Sequence, residues 1–320
     1  FYDGIVFRLQ ESGGVSVLFK EIMSRVPERE MYIDQVCDPR FLERYRDVHV
    51  PDGYDIFHST YYRIPINKNI KVVTTVHDFT YEIYSAGLKK NVHSWQKNRA
   101  ILASDKIICV SESTKKDLLR FVKGVDEEKV RVVHNGVSES YYPLNSSCCT
   151  NQVLFVGARG GYKNFLNLVK ALRDLPGISL VCVGGGSFSK EECSFLESLI
   201  PGRYRHAGHV SNYELNIEYN KSICLVYPSL YEGFGIPVLE AMRAGCPVVA
   251  MNYSSIPEVA GQAAYLMDSG DEREIAEAIG FFEGKKNREH FQGEGYLQSE
   301  KFSWEKTFEE TVNVYRELGF

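Results

Sequence analysis

The chain has 320 residues, 44% of them hydrophobic and 25% charged, with a formal net charge of −5. That length exceeds what one hydrophobic core usually serves and predicts two domains of roughly 150 residues each. The composition is that of an ordinary globular protein: it argues against nucleic acid as a partner, and no apolar run is long enough to span a bilayer. Divided at residue 150, the first part carries 21 Lys+Arg against 20 Asp+Glu and the second 16 against 22, so the net charges are +1 and −6. The eight cysteines include no CxxC pair, and Cys109, Cys182 and Cys224 sit in strand-like apolar runs. That pattern predicts buried reduced thiols in a cytoplasmic setting, and no signal peptide is visible.

Short β-branched runs read as buried strands: DGIVF (3–7), DIFHS (55–59), KVVTTV (71–76), KIICV (106–110) and VRVVH (130–134). Between them, VSVLFKEIMSRV (15–26) and STKKDLLRFV (113–122) have helical spacing. Strand alternating with helix predicts a parallel sheet covered on both faces. The polar stretch 138–152 reads as a linker, after which the pattern restarts. Strands at 152–157, 178–184, 223–229 and 247–251 alternate with helices near 164–175, 189–199, 211–221 and 237–244. The expected fold class is α/β, with two doubly wound Rossmann-like domains, over 1–145 and 146–302, and a final helix within 303–320. In such sheets ligands lie beyond the carboxyl ends of the strands, which places the expected site in a cleft between facing domains.

The residues after each strand are therefore the candidates. ESGGVS (11–16) leads through Gly13 and Gly14 into a helix, where absent side chains let an anion approach the helix start, although Gly-Gly also makes an ordinary tight turn. His77-Asp78 is a titratable pair at a strand end, where the carboxylate can orient or charge the imidazole. In VGARGGYKN, Arg159 and Lys163 lie in a Gly-rich loop that opens a helix; cations and backbone amides converging there suit a diphosphate, and a solvated basic loop is the alternative. VGGGS (183–187) lacks the GxGxxG spacing of a dinucleotide fingerprint.

The richest stretch is YPSLYEGFGIPVLEAMRAG (227–245). Gly233 and Gly235 keep the loop open, and Pro237 is expected as the first residue of a helix ending near Gly245. Glu240 is then expected in the first helical turn, where the helix dipole favours its ionised form. An ionised carboxylate accepts two hydrogen bonds, which suits a vicinal diol such as a ribose. Glu232, on the loop, reaches another part of the same ligand, and the backbone amides of Gly233, Phe234 and Gly235 between them face a diphosphate. Either glutamate alone is explained by an ordinary strand–loop–helix. Together they point to a nucleotide-sugar.

At these residues the chain resembles the retaining glycosyltransferases of family 4, which have the two-domain glycosyltransferase B-type (GT-B) fold. The match is to the Glu-x7-Glu motif, here EGFGIPVLE from Glu232 to Glu240, followed by AMRAGCPVVAMNYSSIPEVAGQAAYLMD. It continues through ESGGVS, TVHDF, CVSESTKKDL, VVHNGV, VGARGGYKN and FSWEKTFEETVNVYREL, over nearly the whole chain. The resemblance implies that Glu240 holds the ribose, Glu232 contacts the donor sugar hydroxyls, and Arg159 with Lys163 clamps the diphosphate. It implies that Gly14 approaches the diphosphate from the N-terminal domain and that His77 lines the sugar pocket near the transferred carbon, His77 and Glu232 being the catalytic residues. Cation spacing in the ARGGYK loop varies among relatives.

The resemblance further implies transfer with retention through an oxocarbenium-like ion pair, with a nucleoside-diphosphate sugar as co-substrate, no other cofactor and no metal. The sequence has no Asp-x-Asp after an apolar strand. Bacterial mannosyl- and rhamnosyltransferases of surface polysaccharide are the nearest flavour, implying GDP-mannose or a deoxyhexose donor, a saccharide or lipid-linked acceptor, and a final helix packed on the N-terminal domain. Residues 86–131 hold eleven Lys/Arg against six Asp/Glu, a basic face that suits peripheral contact with anionic lipid or simply a solvated surface. Rival expectations are a sugar phosphorylase, a nucleotide-sugar epimerase or a non-catalytic partner subunit on the same fold. An NAD-dependent oxidoreductase comes last.

Overall fold

The computed structural model describes residues 1–10, 13–27, 30–34, 42–144 and 150–319. Glu11 and Ser12 of ESGGVS, the middle of the expected linker, and Cys37, Cys148 and Cys149 lie outside the described residues. The chain divides into two compact units, Phe1–Gly136 with Ser303–Phe320, and Val137–Phe302.

The first unit runs β1 (Tyr2–Asp3), α1 (Ile5–Leu9), α2 (Gly14–Met23), β2 (Ile33–Asp34), β3 (Ile56–Ser59), β4 (Lys71–Val76), α3 (Thr80–Tyr84), α4 (Gly87–Ala103), β5 (Lys106–Cys109), α5 (Glu112–Phe121) and β6 (Val130–Val132). Its sheet has the order β2-β1-β3-β4-β5-β6, with every pairing parallel. The expected strand over residues 3–7 is corrected here: the strand stops at Asp3, whose Oδ1 accepts the Ile5 amide at 3.2 Å, and the apolar run turns into α1. A buried β-branched run fits either state, and an aspartate bonding its own backbone two residues on favours the turn.

The second unit runs β7 (Gln152–Val156), α6 (Phe165–Arg173), β8 (Ser179–Val183), α7 (Lys190–Leu199), β9 (Tyr204–His206), α8 (Asn212–Lys221), β10 (Cys224–Tyr227), α9 (Ile236–Arg243), β11 (Val248–Met251), α10 (Ile256–Ala260), β12 (Tyr265–Met267), α11 (Glu272–Phe281) and α12 (Lys285–Ser299). The order is β12-β11-β10-β7-β8-β9, again parallel throughout. Its core packs Phe155, Leu180 and Val226 of the strands against Phe165, Leu168 and Leu172 of α6 and Ile275 and Ile279 of α11. Capping boxes start α7 and α8: Ser189 and Ser211 each accept the amide of Glu192 or Glu214, whose carboxylate returns the bond. Residues just after Gly136 are tied into this unit, the Tyr142 and Leu144 amides donating to Asn216 Oδ1 (3.0 Å) and Asn220 Oδ1 (2.7 Å) of α8.

The last helix, α13 (Trp304–Arg316), belongs to the first unit. Tyr315 Oη lies 2.6 Å from His58 Nδ1 and 2.9 Å from Tyr2 Oη, and His58 Nε2 lies 2.8 Å from Thr75 Oγ1. Burial pushes the His58 imidazole down to about 3, so it stays neutral. Thr307 Oγ1 donates to His134 O at 2.8 Å at the other end of the helix.

Many cations of the basic stretch 86–131 are occupied. Lys97 pairs with Glu82 (2.8 Å), Arg99 with Asp47 (2.5 Å), Lys115 with Glu127 (2.9 Å), and Lys106 and Arg131 both with Glu317. Among the described residues no helix is long and apolar enough to cross a membrane. Cys109, Cys182, Cys224 and Cys246 are buried and Cys193 is exposed, and among the described residues none of them forms a disulfide.

Because Tyr315 completes a buried chain of hydroxyls and imidazole, Tyr315→Phe leaves His58 Nδ1 without a partner. The expected cost is about 1–3 kcal/mol of folding stability, read as a lower urea midpoint with unchanged slope.

Candidate active site

In both sheets the chain reverses direction beside its first strand: between β1 and β3 in the first unit, and between β7 and β10 in the second. Open α/β sheets place ligands in the crevice outside the carboxyl ends of strands at such a switch point. The expected site residues lie on the loops that follow these strands or their neighbours, or on the helices those loops open.

In the second unit, the loop after β7 carries Lys163 and the loop after β10 carries Glu232. Leu230 N donates to Tyr162 O at 2.8 Å, which ties the two loops together. Lys163 Nζ meets Glu232 Oε1 at 2.5 Å, with both side chains mostly covered. The Tyr227 hydroxyl also hydrogen-bonds Glu232; burial first, and that carboxylate second, raises Tyr227 well above the ordinary tyrosine range. Ser254 Oγ donates to Glu232 O at 2.6 Å, and Ser255 Oγ lies 2.9 and 2.8 Å from the carbonyls of Glu232 and Phe234. The loop after β11 thus fixes the backbone of the loop after β10. Ser229, at the start of that loop, is buried with no partner for Oγ among the described residues.

Arg159, four residues before Lys163, turns the other way. Its Nε and Nη2 donate to the two carboxylate oxygens of Glu192 (2.8 and 3.3 Å), and its remaining donors reach the carbonyls of Gly184 (3.1 Å), Gly186 (2.8 Å) and Ser187 (3.1 Å). Its side chain is only 4% exposed. Burial works to raise the Glu192 carboxyl, but hydrogen bonds from Arg159 and the Ser189 amide win and hold it below its ordinary range. Gly185 is required here: at φ +71° any Cβ would lie 2.5 Å from Gly157 O. The Arg159 guanidinium, expected as part of a diphosphate clamp, is here paired with Glu192 and shapes the VGGGS loop.

The Glu-x7-Glu stretch is corrected in three details. α9 begins at Ile236, so Pro237 is its second residue and Glu240 its fifth, beyond the first turn. Glu240 Oε2 accepts the Tyr219 hydroxyl at 2.9 Å, and the Tyr141 hydroxyl bonds the same carboxyl. Burial pushes this carboxyl from 4.5 up to about 7, against the two tyrosine bonds, the opposite of the ionisation expected from a helix dipole. The Phe234 side chain is buried edge-on against Phe302 with centroids 5.9 Å apart, which leaves its backbone as the part that faces a ligand. Gly235 has φ +107°, and a Cβ there would strike Ile256 Cδ1 at 2.7 Å. Gly233, just before Phe234, is partly exposed.

In the first unit, Gly14 is the first residue of α2. His77 follows β4 and is 9% exposed, and its Nε2 is buried with no partner among the described residues. Burial pushes the imidazole down to about 4, against a smaller upward pull from Asp78. Sequence reasoning missed Tyr141, Tyr219, Tyr227, Glu192, Ser254 and Ser255. Two signals were available: Ser189-x-x-Glu192 is a capping box, and Ser254-Ser255 follows a strand end.

Known proteins share this architecture. Residues 148–297 match the family model described as Glycosyl transferases group 1, and residues 16–141 match Glycosyltransferase Family 4. The O-antigen chain mannosyltransferase B of Escherichia coli is 28% identical over 88% of this chain and 81% of its own length. The O-antigen chain mannosyltransferase RfbU of Salmonella typhimurium is 29% identical over 69% of this chain and 63% of its own length. Sucrose-phosphate synthase from Thermosynechococcus elongatus has a similar structure, with a TM-score of 0.72 at 21% identity, covering 83% of this chain and 74% of that one. Anabaena HepE in complex with UDP and glucose gives 0.68 at 17% identity, covering 82% and 78%.

Two parallel-sheet α/β units with these likenesses define the GT-B class of glycosyltransferase fold. With both halves matched, the chain belongs to the group 1, family 4 glycosyltransferases.

The raised Glu240 carboxyl fixes a pH dependence. Between about pH 4.5 and 7 the folded state keeps a proton that the unfolded chain has lost, so this group's contribution to stability falls as pH rises through that window. Glu240→Gln cannot ionise and removes the fall. The variant is expected to melt above wild type at pH 8, with the gap narrowing at pH 5, in calorimetric scans at both values.

Proposed function

We propose that the protein moves a hexosyl group, mannose or a deoxyhexose such as rhamnose, from a nucleoside-diphosphate sugar to a saccharide or lipid-linked saccharide, with retention and without a metal. The observation that carries this reading is the Lys163–Glu232 pair at the switch point of the second sheet, with Glu240 on the helix that follows. An ammonium paired with a carboxylate can exchange that carboxylate for a diphosphate. Lys163 would then neutralise the charge that develops on the leaving phosphate, in a covered setting where such a contact counts for most. Glu232, released, is left to take hydroxyls of the transferred sugar. The backbone amides of Gly233 to Gly235 and of the α9 start add donors for the diphosphate. Glu240 is assigned the ribose hydroxyls. The mannosyl part of the reading is supported by the two O-antigen relatives, and the nucleotide-sugar part by HepE, whose structure holds UDP and glucose.

The ion pair sets Glu232 apart from Lys163 and Glu240 in calorimetry with nucleoside diphosphate and with intact donor. Lys163→Ala and Glu240→Ala should each weaken nucleoside diphosphate by about ten- to a hundredfold, the loss of a hydrogen bond to a charged group. Glu232→Ala should bind nucleoside diphosphate as tightly as wild type or tighter, because it removes the carboxylate that competes for Lys163, while sugar transfer falls. Weaker nucleoside diphosphate binding in Glu232→Ala would refute this division of roles, and loss of transfer in excess EDTA would refute metal independence.

A further inference from the structure

Lys97, on α4, is a lysine with no exposed surface. Its ammonium donates to Glu82 Oε2 of α3 at 2.8 Å and to the carbonyl of Asp78 at 2.8 Å. The other Glu82 oxygen accepts the Ser94 hydroxyl at 2.9 Å, and Lys90 Nζ donates to the Glu82 carbonyl at 2.7 Å. The rings of Phe79 and Tyr62 flank the Lys97 ammonium, with centroids 4.4 and 5.6 Å away. Asp78 Oδ1 accepts the Thr80 amide at 2.8 Å. The short loop from His77 to the start of α3 is thus held from two directions, by α3 itself and by Lys97 of α4.

That loop follows β4, and its His77 and Asp78 line a crevice of about 260 Å³. Lys97 does not line the crevice; it stands behind the loop. A buried ion pair gains little stability over well-packed apolar residues of the same size, because desolvation offsets the attraction. Fastening α3 to α4 therefore does not by itself account for a buried charge, and the second bond of Lys97 falls on the residue next to His77. The charge also acts on both members of the pair. Burial works to raise the Asp78 carboxyl, but the Lys97 charge and the Thr80 amide hold it below its ordinary range. Burial lowers the His77 imidazole most, Asp78 pulls it back up, and Lys97 pushes it further down. Of the other groups nearby, His58 on β3 is neutral, and the Tyr62 hydroxyl, raised first by burial, bonds the His77 backbone. Arg44 acts on Tyr61 and His93.

We propose that Lys97 is a positioning residue for sugar transfer, which from behind the crevice fixes the loop that presents His77 and Asp78. Its bond to the Asp78 carbonyl sets the backbone, and its charge keeps an ionised carboxylate beside a neutral imidazole. The role in transfer rests on the glycosyltransferase reading; the hold of Lys97 on His77 and Asp78 does not.

The test separates positioning from plain structural support. Lys97→Met alone leaves the Glu82 carboxylate buried and uncompensated, and should lower the urea midpoint. Adding Glu82→Gln removes that charge while keeping an acceptor for Ser94, and should bring the midpoint back toward wild type. Two further readings on the double variant decide. The first is the His77 C2–H resonance, followed by NMR against pH in the full chain with labelled histidine and assigned through His77→Asn. Its midpoint should rise by roughly one pH unit or more, since the cation is gone and Asp78 remains. The second is release of nucleoside diphosphate from GDP-mannose and from UDP-glucose with methyl mannoside present. The rate should fall about ten- to a hundredfold, because a displaced loop misplaces its side chains, while nucleoside diphosphate affinity stays within about twofold of wild type. Where circular dichroism shows the double variant to be misfolded, Lys97→Met carries both readings. An unmoved His77 midpoint in a folded variant overturns the proposal, and so does a rate that recovers together with the urea midpoint. A wild type that releases diphosphate from neither donor counts against the transferase reading, and the His77 midpoint then decides the hold of Lys97 on its own.

Discussion

Parallel pairing is the constraint from which the rest follows. When every strand of a sheet runs the same way, all carboxyl ends gather on one edge, and the return helices must cover both faces. The strands then have no solvent side. All four residues of β10, Cys224–Tyr227, are buried, and chemistry-bearing groups can begin only where the strand stops. That is why Ser229, Glu232, Lys163 and His77 all lie within a few residues of a strand end. The reversal of strand order keeps one crevice per sheet free of a crossing connection, and in the second unit it brings together side chains 69 residues apart.

Within that crevice the two cations of one loop meet different fates, and the difference follows from their chemistry. Arg159 offers a planar fork that carbonyls and a carboxylate can satisfy on several sides, so it becomes a rigid part of the wall. Lys163 is a point charge on a flexible stem, paired with Glu232. Removing one partner of a covered ion pair is costly because the other is left uncompensated. Replacing a carboxylate by a diphosphate keeps the ammonium paired throughout, so the exchange avoids that cost. The covered pair is therefore compatible with a site that opens to an anionic ligand.

The parts of the structure legible in sequence were those governed by local rules. Strand–helix alternation gave the two parallel sheets, and Gly235 with Pro237 gave the loop-to-helix transition around which Glu232 and Glu240 are set. The strand expected at 3–7 failed because Asp3 bonds the backbone two residues on, a competition that an apolar pattern does not reveal. The ion state of Glu240 failed for a different reason. A dipole argument sees only the helix, while the carboxyl answers to Tyr219 and Tyr141, brought in by α8 and by the segment after Gly136. The pairing of Arg159 was missed likewise, since its partner Glu192 lies 33 residues on, past an intervening strand. Long-range pairing decides what a charged side chain is for, and spacing along the chain does not carry it.

Glu240 shows what such pairing implies about selection between stability and function. A carboxyl raised to about 7 weakens the folded state near neutrality, and a glutamine of the same shape would not. The surrounding tyrosines are themselves pushed up, Tyr219 well above its ordinary range, so their hydroxyls remain donors and hold the carboxyl in one orientation. An arrangement that sacrifices stability while fixing the direction of a single acceptor group is what a preorganised binding residue requires. Exposure gives an ordinary helix-face glutamate freedom to rotate and an unperturbed charge. Glu240 has neither: two tyrosine hydroxyls fix its orientation, and burial shifts its charge.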